Sequence, residues 1–223
     1  MKHTNNSKKV VVAVIVIIVL IIAGWGVKQI HSSMRQNEIT KQDQQRILDA
    51  QNADAQKRHE FAEKIAKPAI EVYQKQGTVL PSIVIAQAIQ ESNWGQSKLY
   101  QKANNIFGVK GDYKGQSISY YTDEYVSKDT PVKKGVKVVR EGDQKKISIP
   151  AQFRKYPDVY TAVANHDRVT ALNFIKKRNI TSFEEQANLL QKNHYATDPN
   201  YAKSLINLIK QYNLQKYDKQ AIK

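Results

Sequence analysis

An unbroken apolar run from Val10 to Ala23 constrains this chain before any other feature does. With Gly24, Trp25, Gly26 and Val27 it reaches about the 18 residues at which a membrane-spanning helix becomes the leading reading. Lys2, Lys8 and Lys9 precede it, which favours a short cytoplasmic N-terminus over residues 1–9, an anchor over 10–27 and export of everything that follows. Lys28 and Arg35 on the far flank weaken that bias. A cleavable signal peptide competes, because Ala23, Gly24 and Gly26 offer small residues, although no clean A-x-A pattern appears. The expected location is therefore the cell membrane, single-pass with the working part outside, or secretion if the segment is cleaved.

The 223 residues allow one ordinary domain plus appendages. Lys and Arg number 35 against 20 Asp and Glu, a formal charge of +15 that invites polyanions: nucleic acid, acidic lipid head groups or an anionic extracellular polymer. Charge alone does not choose among them, but an exported domain argues against nucleic acid, and no recognition-helix motif or RNP-like aromatic strand supports it. The absence of cysteine excludes a disulfide framework, a Cys-ligated zinc site, an Fe–S cluster and a thiol nucleophile.

Residues 28–58 are polar, without Pro, and read as a helical stalk or loose linker. The composition changes near residue 59. Phe61, Ile65, Ala69, Ile70 and Tyr73 recur at helical spacing, with Pro68 expected to kink or restart the helix and Gln76-Gly77 to close it. Pro81 suits the first turn of a second helix whose buried stripe is Ile85, Ala88 and Ile89, ending at 91–94 with Gly95 as the stop. Strand-like alternation from Ile118 to Val126 and two further strands over 136–140 and 145–149 predict a small β-lobe. Helices are expected over 159–175, over 181–192 behind a Thr181-x-x-Glu184 capping box, and over 200–212. The domain is thus expected at 59–216 with a basic tail at 217–223, as an α+β fold, mainly helical, with an antiparallel β-lobe flanking a cleft.

Glu91 falls at the end of the second predicted helix, where the last carbonyls oppose ionisation. If aromatic surface also excludes water its pKa rises, and it can serve as a general acid; the plain alternative is a helix-end Glu in solvent. Glu124 shares a strand face with Ile118 and Tyr120 and sends Asp123 to the other face. A carboxylate among tyrosines suits sugar recognition, and an exposed strand residue is its plain alternative. Metal chemistry has little support: His166 and His194 lack ligand spacing, and His166-Asp167 reads as a structural pair. No Gly-x-Ser-x-Gly elbow or phosphate-binding loop occurs.

The segment Pro81-Ser82-Ile83-Val84-Ile85-Ala86-Gln87-Ala88-Ile89-Gln90-Glu91-Ser92-Asn93-Trp94-Gly95-Gln96-Ser97 resembles the catalytic helix of the bacterial peptidoglycan β-N-acetylglucosaminidases of glycoside hydrolase family 73. Four further blocks recur in matching order: 104–111, 121–125, 151–156 and 195–202. The resemblance covers about residues 60 to 214 and implies a lysozyme-like fold and cleavage of the glycan strand after N-acetylglucosamine. It places the general acid on Glu91, a second carboxylate on Glu124 and a catalytic-site tyrosine on Tyr195. Asn105, Phe107, Tyr121 and Tyr156 match positions expected near the cleft, and Trp94 is open between sugar contact and core. No metal or organic cofactor is implied. The expected partners are peptidoglycan strands, anionic wall polymers and the membrane through the N-terminal helix. Competing readings are a lytic transglycosylase or muramidase, and a non-catalytic wall-glycan-binding protein.

Overall fold

The computed structural model describes residues 4–133 and 135–222, the side chains of 4–24, 27 and 141 excepted. The expected anchor over 10–27 falls almost wholly on those excepted residues. Among the described residues no helix is long and apolar enough to cross a membrane. Contacts divide the chain into two units, Met1–Lys57 and Arg58–Lys223.

Helix α1 (Thr4–Gln76) supplies the first unit. Its residues 28–57 are exposed, including Ile30, Met34, Ile39, Ile47 and Leu48, because the polar sequence between them provides no continuous apolar stripe to bury.

In the second unit the rest of α1 turns Phe61, Ile65, Ala69 and Val72 into the core. Pro68 lies inside the helix without ending it. The buried residues on both sides hold the helical path, and Gly77, at φ 64, makes the stop. Helix α2 (Pro81–Ser92) follows and is buried from Pro81 to Ile89, a wider burial than one stripe, because α5 (Phe183–Lys192), α6 (Tyr201–Gln211) and α7 (Gln215–Ala221) all pack on it. Two of its buried polar residues donate inside the domain: Gln87 Nε2 to the Tyr201 hydroxyl at 2.9 Å, and the Ser92 hydroxyl to the Ala88 carbonyl at 2.6 Å. Residues 217–223, expected as a basic tail, instead carry most of α7, with Tyr217 and Asp218 buried in the domain.

Short helix α3 (Lys98–Ala103) leads to the three-stranded antiparallel sheet, order β1-β3-β2, made by β1 (Ser117–Ser127), β2 (Lys137–Glu141) and β3 (Gln144–Arg154). The third strand runs past its expected end at Ile149 and through Pro150. Proline is tolerated because β2 reaches only to Ser148, so Pro150 pairs on one side alone, with Tyr121. Helix α4 (Val159–Thr170) continues as a wider π-type turn over Ala171–Ile175, and α5 is capped by Ser182, one residue after the expected Thr181.

Candidate active site

Glu91 and Ser92 occupy the last turn of α2, about 100° apart around the axis, so one faces in when the other faces out. Ser92 is the inner one. Its oxygen also accepts the Gly95 N–H at 2.8 Å, and the αL conformations of Asn93, Trp94 and Gly95 then turn the chain sharply away. Gly95 is required twice over, since its φ is 76° and an added Cβ would lie 2.7 Å from the Phe61 ring.

Glu91 projects outward. It is exposed to solvent, yet burial among neighbouring protein atoms raises its pKa above the usual carboxylate value. The two facts agree for a carboxyl on the wall of an open concavity, where water reaches the group from one side while protein excludes it from the others. The Glu91 charge acts on both Tyr195 and Tyr201 and helps to raise their phenol pKa values.

Tyr195 is set by the end of α5: His194 takes φ 59, and the Tyr195 N–H returns to the Leu190 carbonyl at 2.9 Å. Its ring stacks on Tyr201 with centroids 5.4 Å apart and meets Phe174 edge-on at 4.9 Å. Desolvation is the main cause that drives both phenol pKa values up, so both stay protonated. The Tyr195 hydroxyl lies 3.1 Å from His166 Nε2. His166 is buried, stacks on Phe107 at 3.8 Å, and is pushed down to about 3 by desolvation, so it is neutral. Nothing in the spacing of residues 166 and 195 announces this contact. Asp167 does not pair with His166 but accepts from the Thr78 hydroxyl at 2.5 Å.

Glu124 stands on the half-buried face of β1 with Ile118, Tyr120 and Thr122, as alternation predicts, and is held by Lys110 in an ion pair. Tyr121 is on the opposite, exposed face with Asp123, which pairs with Lys146 at 3.0 Å; Tyr121 and Glu124 therefore do not share a surface. Asn105 and Tyr156 are fully or nearly buried and brace the fold. Asn105 clamps its own turn through the Val109 N–H and carbonyl, each at 2.9 Å, and reaches the Arg154 carbonyl at 2.8 Å. The Tyr156 hydroxyl donates to Asn165 Oδ1 at 2.8 Å. Trp94 sits in an aromatic cluster, edge-on to Tyr212 at 4.7 Å and to Phe61 at 6.3 Å, with the Arg58 guanidinium 5.2 Å from its ring centroid. Tyr195 and Tyr201 are thus stacked together within range of the Glu91 charge, with His166 against the Tyr195 hydroxyl and Phe107 stacked on His166. Among the described residues no three His, Asp or Glu side chains gather to hold a metal ion.

Residues 66–214 match the glucosaminidase family model, described as mannosyl-glycoprotein endo-β-N-acetylglucosaminidase. The chain is 39% identical over 165 residues to the exo-glucosaminidase LytG of Bacillus subtilis, covering 71% of this chain and 52% of LytG. It is 31% identical over 159 residues to the peptidoglycan hydrolase FlgJ of Escherichia coli, covering 68% of this chain and 45% of FlgJ. The catalytic domain of the autolysin Auto from Listeria monocytogenes superimposes with a TM-score of 0.61 at 28% identity, covering 76% of this chain and 97% of that domain. The chain spans about half the length of these two curated relatives. The matched span takes in helix α2 with Glu91, the sheet and the tyrosine pair, and on it this chain belongs to the glucosaminidase family, glycoside hydrolase family 73.

Proposed function

We propose that this protein hydrolyses peptidoglycan, cutting the glycan strand after N-acetylglucosamine with Glu91 as general acid. The observation that carries this reading is the desolvated carboxyl of Glu91 beside two protonated tyrosines. A carboxyl with a raised pKa keeps its proton closer to neutrality and can deliver it to the glycosidic oxygen as the C1–O bond breaks through an oxocarbenium-like state. Glu124 is engaged by Lys110, and the Glu91 charge acts on the Tyr195 phenol. Both features support attack by the substrate's own 2-acetamido oxygen, oriented by Tyr195, over water activated by Glu124. The first-formed product then retains its anomeric configuration.

Reducing-end analysis of glycan fragments released by the full chain tests the bond specificity. N-acetylglucosamine ends are expected; muramic acid or anhydromuramic acid ends identify a muramidase or lytic transglycosylase instead, and no release identifies a glycan-binding protein.

The apolar run at Val10–Ala23 supports a single-pass anchor with this domain outside the membrane. Retention on anionic wall polymers is supported by two adjoining hollows of about 630 and 500 Å³ that share Gln76 and Arg168 and carry Lys114, Arg154, Lys176 and Arg178 on their walls. Binding to purified walls is expected to fall as salt is raised, and persistence at high salt contradicts it.

A further inference from the structure

We propose that His166 is a positioning residue for Tyr195, donating its Nε2–H to the tyrosine oxygen so that the tyrosine's own proton points toward substrate beside Glu91. This rests on the glycosidase reading above and extends it to a residue that touches no substrate.

The geometry has three parts. First, the imidazole is immobile. It is 3% exposed, lies flat on Phe107 with rings 17° from parallel, and has Thr170 Oγ1 3.3 Å from its Nε2. Second, its tautomer is constrained by what surrounds the other nitrogen. Nδ1 is buried with no hydrogen-bond partner among the described residues. An orphaned buried N–H is rarer in folded proteins than an under-used acceptor, so the proton belongs on Nε2, where Tyr195 and Thr170 oxygens receive it. Third, the neighbouring phenol is treated the same way: the Tyr201 oxygen accepts from Gln87 Nε2 at 2.9 Å. Two stacked tyrosines beside Glu91 thus each have the hydroxyl oxygen engaged from behind by a buried neutral donor.

A phenol oxygen that already accepts a hydrogen bond turns its O–H away from the donor, which for half-buried Tyr195 leaves the proton for substrate near Glu91, whose charge acts on this phenol. An acceptor oxygen of the bound sugar meets that proton there. In the substrate-assisted route this oxygen is the 2-acetamido carbonyl, which must be held under C1 before it can attack. A misdirected hydroxyl leaves the acetamido group free to rotate, and the loss falls on turnover rather than on binding of the strand.

The test is a double-mutant comparison in the full chain on a defined glycan oligomer, with folding checked by circular dichroism and thermal melting. His166→Phe keeps the stack on Phe107 and removes the donor; it is expected to lower kcat about tenfold or more while KM changes little. His166→Gln, whose amide nitrogen reaches the Nε2 position, is expected to recover most of the loss, and His166→Asn, whose amide lies at the Nδ1 position, is not. In a Tyr195→Phe background His166→Phe is expected to cost nothing further. An equal loss in both backgrounds, or wild-type kcat in His166→Phe, overturns the proposal. Full kcat in Tyr195→Phe also overturns it, and Glu91→Gln run alongside separates the two failures: inactive Glu91→Gln leaves the glycosidase reading standing, whereas active Glu91→Gln removes that reading as well. Should His166→Phe not fold, the contrast between the Gln and Asn variants decides by itself.

Discussion

Asp218 receives two hydrogen bonds from Ser82, from the backbone N–H at 2.8 Å and from the hydroxyl at 2.6 Å. Ser82 lies in the first turn of α2, whose N-terminal residue Leu80 has no side chain able to cap it. Caps come from far along the chain instead, Asp218 on α7 for Ser82 and Gln186 Oε1 on α5 for the Leu80 N–H at 2.9 Å. A carboxylate there also sits at the positive end of the helix whose other end carries Glu91. Asp218→Ala is therefore expected to lower stability by about 3 kcal/mol, read by denaturant unfolding. A loss below about 0.5 kcal/mol contradicts the capping role.

The same carboxylate makes stability depend on pH in a stated direction. Burial pushes Asp218 up to about 6 from an ordinary 3.8, against the lowering effect of the Ser82 hydrogen bonds. The folded state then binds this proton more tightly than the unfolded state. Its contribution is fully present below the unfolded value and is lost as pH rises through about 6. Asp167, also raised to about 6, acts in the same sense. His166 acts oppositely: lowered to about 3, it costs stability as pH falls below 6.5. Comparison with Asp218→Asn isolates one group: the stability of wild type relative to the variant is expected to decline between pH 4 and 7, and a flat difference contradicts the assignment.

Gly95 tests the turn that aims Glu91. Gly95→Ala must accept a positive φ and push its Cβ against the buried Phe61 ring, contacts of 2.7 Å that oblige the ring to shift. Stability is expected to fall by about 1–3 kcal/mol, with a disproportionate loss of turnover, because the chain after Ser92 is displaced. Melting temperature and kcat measured together check both parts.

As the proposed general acid, Glu91 would work in its protonated form, so kcat is expected to fall as pH rises through its pKa, which desolvation lifts above the usual carboxylate value. Glu124→Gln is expected to leave that limb in place and to reduce kcat about tenfold, far less than loss of the acid. Disappearance of the limb in Glu124→Gln reverses the two roles.

Local patterns carried much of this architecture. Alternation from Ile118 to Val126 foretold which side of β1 Glu124 takes, and Pro81 and Gly95 bracketed the helix that ends in Glu91. That Ser92 pins the turn after Glu91 is visible only in its bonds to the Ala88 carbonyl and the Gly95 N–H. What escaped a linear reading were contacts closed over long separations. Asp218 looked like part of a charged tail because its partner Ser82 lies 136 residues away. His166 reads as structural because Tyr195, beyond the end of α5 and 29 residues away, meets it only in the folded domain. Pro150 ended a predicted strand, although with β2 stopping at Ser148 its missing N–H breaks no ladder bond on that side. Tyr121 matches a motif position expected near the cleft, and the pleat of β1 sets it on the exposed face opposite Glu124.

Glu91→Gln is the most direct test, because the amide keeps the shape of the side chain and removes the proton that the reaction needs. Turnover of purified peptidoglycan by the full chain is expected to drop by about a thousandfold or more, with an unchanged melting temperature and undiminished binding to the glycan. A folded Glu91→Gln protein that still releases glycan fragments within about tenfold of the wild-type rate contradicts the assignment of the general acid.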